Sequence, residues 1–92
     1  MKSIWKYPLK IEDYQEVRMP MGAKALTIQV QGGAPCLWAM LETEEKTTAL
    51  YPVWMHGTGH PADEAAQLGR YVSTIQAQGG ALIFHFFIGL GA

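Results

Sequence analysis

The chain has one cysteine, no run of like charge and no apolar stretch long enough to cross a bilayer as a helix. Each shortage removes a class of protein. A lone Cys36 excludes an intrachain disulfide and a multi-cysteine zinc framework, which fits a reducing, cytoplasmic setting. Seven basic and eight acidic residues leave a net charge of −1, so no broad field draws the chain onto a nucleic-acid backbone or an anionic membrane. The basic residues are scattered from Lys2 to Arg70, and extended nucleic acid is not an expected partner. The opening Met1-Lys2-Ser3-Ile4-Trp5-Lys6 lacks the continuous apolar core of a secretory signal. The longest apolar run, Ala81 to Ile88, is interrupted by His85 and too short to span a membrane.

What is present reads as one small β-rich domain over residues 1–92, with half-repeats at 1–45 and 46–92. Ser3 to Leu9, Ala25 to Gln31, Cys36 to Glu42, Thr47 to Met55, Tyr71 to Gln78 and Ala81 to Ile88 are rich in β-branched, aromatic and aliphatic residues and bounded by Gly, Pro or polar clusters. A further short strand is expected at Glu16 to Met19. Pro61 to Leu68 alone predicts a helix, with Pro at its start, Asp63 and Glu64 in its first turn and Gly69 past its end. The expected architecture is mainly β: an antiparallel sheet or small barrel of about six strands, two Gly-Gly hairpins and one short helix.

Gly22 to Ala34 (GAKALTIQVQGGA) and Gly69 to Ala81 (GRYVSTIQAQGGA) repeat at an offset of 47 residues. Common ancestry of the halves and convergence on one turn chemistry both account for this, since Gly-Gly supplies φ > 0 at both central positions of a tight hairpin. If the glycines are the loops, the register follows. One face then pairs Val30 with Pro35, Ile28 with Leu37, Leu26 with Ala39, Ala77 with Leu82, Ile75 with Phe84 and Ser73 with Phe86, and forms the core. The other face pairs Gln29 with Cys36, Thr27 with Trp38, Gln76 with Ile83, Thr74 with His85 and Val72 with Phe87. Trp38 and His85 therefore occupy equivalent positions, each beside a Thr and a Gln.

Cys36 to Leu41, Ala49 to Met55 and Leu82 to Ile88 are apolar on both faces, where a half-solvated antiparallel sheet should alternate. One short helix cannot cover that much surface. Barrel closure or a second copy must do so, and a two-fold homodimer is the simplest expectation.

Ile4, Lys6, Tyr7 and Leu9 in an I-x-K-Y-x-L strand, P-C-L-W-A at Pro35 to Ala39, G-T-G-H-P at Gly57 to Pro61 and G-G-A-L-x-F-H-x-F at Gly79 to Phe87 span nearly the whole chain. In this combination the chain resembles a domain-of-unknown-function family of small phage and prophage proteins. The resemblance implies an intracellular β-rich domain from a phage or prophage source, expressed in the bacterial host, and supplies no activity. Met55-His56, before the G-T-G-H-P turn, is where the chain departs from the family pattern, which argues against a role for His56 shared across the family.

The histidines are read first as structural. His56, His60 and His85 are the only ones, no carboxylates cluster with them, and the glycines of Gly57-Thr58-Gly59-His60 answer to turn geometry, so neither a metal nor a cofactor is expected. Asp63 and Glu64 already complement the helix start and would repel a phosphate there. Cys36 on a strand reads as a small buried hydrophobe. No nucleophile, base and charge stabiliser stand at readable positions, which favours a binding protein over an enzyme. The expected ligand site comprises Trp38, His85, Gln29, Gln76, Thr27, Thr74, Gly57, Thr58, Gly59 and His60. It suits a small ligand such as a host nucleotide signal, sequestered between subunits, with the aromatic rings stacking on a base. A module that docks a host or phage protein through a sheet face or edge is the alternative, and an enzyme with an unrecognised site is third.

Overall fold

In a computed structural model, which describes residues 1–91, seven strands and one helix follow in the order β1 (Lys2–Pro8), β2 (Tyr14–Pro20), β3 (Lys24–Gln31), β4 (Ala34–Glu42), β5 (Thr48–Gly57), α1 (Asp63–Leu68), β6 (Arg70–Ala77) and β7 (Leu82–Ile88). The mainly β, antiparallel class expected from the sequence holds, and the strands divide into two sheets. One has the order β1-β4-β3, the other β2-β5-β7-β6. Each half of the chain lays its leading strand beside the second strand of its own hairpin, giving β1-β4-β3 and β5-β7-β6. The extra strand, β2, belongs to the first half and pairs with β5 of the second.

The hairpins form where the glycines put them. Gly32 and Gly33 have φ of +61° and +83°, the left-handed conformation that a two-residue turn joining twisted strands requires. From that turn the ladder runs as the spacing predicts, with Gln31 opposite Ala34, Ile28 opposite Leu37 and Thr27 opposite Trp38. In the second hairpin Gln78 joins the turn with φ of +52°, and the strands pair from Ala77 and Leu82 onward.

Two expected pairs are displaced, and bulges are the reason. An extra residue between Ala25 and Thr27 places Ala25 opposite Ala39 and turns Leu26 out of the core, 42% exposed. An extra residue between Tyr71 and Ser73 places Tyr71 opposite Phe87 where Val72 was expected. Val30 and Leu82, also expected inside, are exposed because the core ends before the hairpin tips.

The core is a single cluster drawn from both sheets: Ile28, Leu37 and Ala39 from the three-stranded sheet meet Val53, Met55, Ile75 and Phe86 from the four-stranded one. Tyr7 on β1 packs against it, and burial, with Tyr51 of the opposite sheet nearby, raises the Tyr7 phenol above its ordinary pKa. Along one flank β3 and β6 run side by side without a shared ladder. Side chains join them there: Ser73 Oγ accepts the Ile28 N–H at 2.8 Å and shares a hydrogen bond with Thr27 Oγ1 at 3.1 Å.

The helix starts at Asp63, two residues later than Pro61, and lies on the outer face of the four-stranded sheet. Trp54 donates its indole N–H to Glu64 Oε1 at 2.9 Å. Gly69 ends α1 in extended backbone, and its role is steric: a Cβ would stand 2.9 Å from the Ala65 carbonyl oxygen and 3.0 Å from the Trp54 ring.

Candidate functional site

Side chains alternate across each strand, so the residues flanking the buried Leu37, Ala39 and Phe86 point away from the core. Trp38 and His85 both do so, as expected, but from different sheets. The expected site therefore separates into three places.

Trp38 lies on the outer face of the three-stranded sheet, in a row with Lys6 of β1 and Thr27 of β3. Lys6 donates from Nζ to Gln31 Oε1 at 2.8 Å. β1 and β3 flank β4, so this side chain must cross β4, and the stretch beneath it contains Cys36. Cys36 faces outward beneath this span, between Pro8 and Gln29, and is only 4% exposed.

Thr27 and Gln29 meet Thr74 and Gln76 along the β3–β6 flank. Together they line a shallow groove of about 280 Å³. The equivalent Thr and Gln pairs of the two hairpins thus come together, while their partners Trp38 and His85 do not join them.

His85 forms the third and best-organised place. The β5-β7-β6 register sets His56, His85 and Thr74 in one row and Trp54, Phe87 and Tyr71 in the next. His85 Nε2 lies 2.6 Å from Thr58 Oγ1, His85 Nδ1 lies 2.9 Å from Thr74 Oγ1, and Thr74 Oγ1 lies 2.9 Å from the Tyr71 hydroxyl. In a neutral imidazole one nitrogen donates and the other accepts, so either tautomer is satisfied and the ring is held at both ends. Phe87 stands edge-on to Tyr71 with ring centroids 5.8 Å apart, and to His56 at 6.5 Å.

The G-T-G-H-P turn folds over this row. His60 donates its backbone N–H to the Gly57 carbonyl at 3.1 Å, Gly59 has φ of +86°, and the His60 ring packs so close to Gly57 that a Cβ there would stand 3.0 Å from it. Both glycines are thereby required, one by conformation and one by space. Between turn and sheet lies a pocket of about 220 Å³ bordered by His56, Thr58, His60, Tyr71, His85 and Phe87. His56 Nε2 is buried in the protein without a hydrogen-bond partner. Among the described residues, no three His, Cys, Asp or Glu side chains come together as a metal site.

Sequence reasoning placed His85, Thr74, Thr58, Gly57, Gly59 and His60 in the site, and the fold brings them together. It left out Tyr71, Phe87 and His56. Phe87 was legible as the residue alternating with His85 in LIFHFFI, whereas Tyr71 reaches its place only through the bulge beside Val72.

The family model of a domain of unknown function, DUF7352, matches residues 1–90. No curated protein and no solved structure matches the chain.

Proposed function

Because the chain belongs to the DUF7352 family of domains of unknown function, which lends it no activity, we propose from the geometry that it is a non-enzymatic small-ligand-binding protein. Its ligand is a planar, hydrogen-bonding ring of the nucleobase class, held in the His85 pocket. One observation carries this reading: His56, whose Nε2 is buried and unpartnered, borders a pocket in which Thr58, His85, Thr74 and Tyr71 are already tied to one another. A buried polar group without a partner costs roughly 1 to 3 kcal/mol, and a small turn of the His56 ring toward the pocket would let a ligand ring edge relieve that cost. Tyr71 and Phe87 supply apolar walls, the Thr58–His85–Thr74 network holds the pocket's shape, and few convergent polar groups in an apolar setting is how such sites are built. Asp63 and Glu64 make the helix side unfavourable for phosphate, so the base enters and any phosphate points to solvent. Tyr71 is 55% exposed at the mouth, where a second copy of the chain would complete the enclosure.

In this reading the protein sequesters a host nucleotide signal in the cytoplasm of a phage-infected or lysogenic cell. Thermal-shift measurements against nucleosides, nucleotides and cyclic nucleotides test it. A ligand at a hundred times its Kd adds about 2.7 kcal/mol of stability, and His56→Phe and His85→Phe should each remove the shift. A panel without any stabilising compound, or shifts that survive both substitutions, would sink the proposal. The exposed β1 edge, with Ile4 and Trp5 open to solvent, favours a second reading in which a partner protein docks there; pairing of a partner strand with β1 would show as protection of that edge's amides from exchange.

A further inference from the structure

The bulge after Ala25 has a second effect, at the end of β3 away from the Lys6–Gln31 bond. Simple alternation would put Leu26 into the space facing Ala39. The bulge substitutes Ala25 and sends Leu26 to solvent. With Ala23 and Ala25 as small walls, a cleft of about 300 Å³ stays open between β3, the end of α1 and the chain after β7. It does not close by collapse, because its other walls are already in contact: a Cβ on Gly89 would stand 2.7 Å from Pro52, and one on Gly69 would meet Trp54.

We infer that this cleft is a binding site for a small monocarboxylate carrying an apolar tail. Arg70 borders it and makes no salt bridge among the described residues. The Tyr51 hydroxyl, also at the wall, is committed: it accepts the Ala23 N–H and donates to the Pro20 carbonyl. Polar recognition therefore falls to Arg70 and Gln67. A guanidinium presents two parallel N–H groups to a carboxylate, and one cation with no lysine beside it matches a singly charged head better than a phosphate. The remaining lining is apolar, and Leu68 and Leu90 are exposed at the lip, Leu90 at 92%, where an alkyl tail would cover them. β-Bulges commonly re-aim side chains beside functional sites, and here the re-aimed residue is the one whose absence makes the room.

Titration of the ¹⁵N-labelled protein with hexanoate, and in parallel with hexanol and hexylamine, tests the inference by amide chemical shifts. Hexanoate should give saturable shifts centred on Gly69, Arg70 and Gly89, and the two controls should bind far more weakly. Arg70→Gln should weaken hexanoate at least roughly tenfold, the loss of one charge-assisted contact, and leave hexanol unchanged. Ala25→Leu should fill the cleft and abolish the shifts; Arg70 is exposed, so the first variant reads the site even if the second does not fold. Equal binding of hexanol and hexanoate, unchanged hexanoate binding in Arg70→Gln, shifts centred elsewhere, or no saturable shift would each overturn it.

Discussion

Single side chains in this protein do work that strands or helices do in larger ones. Lys6 reaches Gln31 across the middle strand of its sheet, over the stretch that holds Cys36. Lys6→Ala should expose the thiol and speed its reaction with a disulfide reagent by an order of magnitude or more, since exchange requires access to the sulfur. An unchanged rate would mean that Trp38 and Pro8 shield the sulfur without help. Ser73 is the second example. It is the acceptor for the Ile28 N–H and, among the described residues, the one side chain of β6 that bonds to β3, so Ser73→Ala should destabilise by roughly 1 to 3 kcal/mol, the penalty for an unsatisfied buried donor. Urea unfolding measures this, and a midpoint equal to that of the parent would show that water replaces the hydroxyl.

Among the elements, the two hairpins and the helix end illustrate two separate demands for glycine. Gly33→Ala puts a Cβ on a residue at φ of +83° with open space around it, and should cost about 1 to 2 kcal/mol through conformation alone. Gly69→Ala meets no conformational objection but drives a methyl group against the Ala65 carbonyl and the Trp54 ring, and should cost roughly 1 to 3 kcal/mol through overpacking. D-alanine at Gly33, whose φ of +83° suits a D residue, should restore the hairpin and so show that its cost is conformational. Such local chemistry is why the turns, the helix and the register next to each Gly-Gly pair could be read from the sequence. Register is transmitted from a turn outward until something non-local intervenes. In both ribbons the intervention is a bulge, at Leu26 and at Val72, and neither residue carries a signal for it. The helix start moved for a simpler reason, as Pro61 and Ala62 extend the G-T-G-H turn before the chain coils.

At the scale of the molecule, the sequence hid the division into two sheets, because it depends on β3 and β6 lying side by side without a shared ladder, and it hid the choice by β2 of β5 over β1. The same division explains why the expected site dispersed: Trp38 and His85 hold equivalent places in repeated ribbons, and the repeats sit in separate sheets. Apolar residues stay uncovered on the β1 edge and beside the His85 pocket, at Ile4, Trp5 and Tyr71, and an edge strand of this kind invites pairing. A homodimer at tens of micromolar is therefore the expected state. Sedimentation equilibrium should return about twice the 10.2 kDa chain mass, and a strictly single-chain mass would remove the second copy from the proposed enclosure of the ligand.

The loan of β2 has a mechanical outcome. The connection from Glu44 to Thr47 is open to solvent between β4 and β5, yet the piece before it surrenders one strand to the piece after it, and both contribute to one core. A protease that severed that connection would leave two fragments clasped like hooked fingers, inseparable on a sizing column until a denaturant prised them apart.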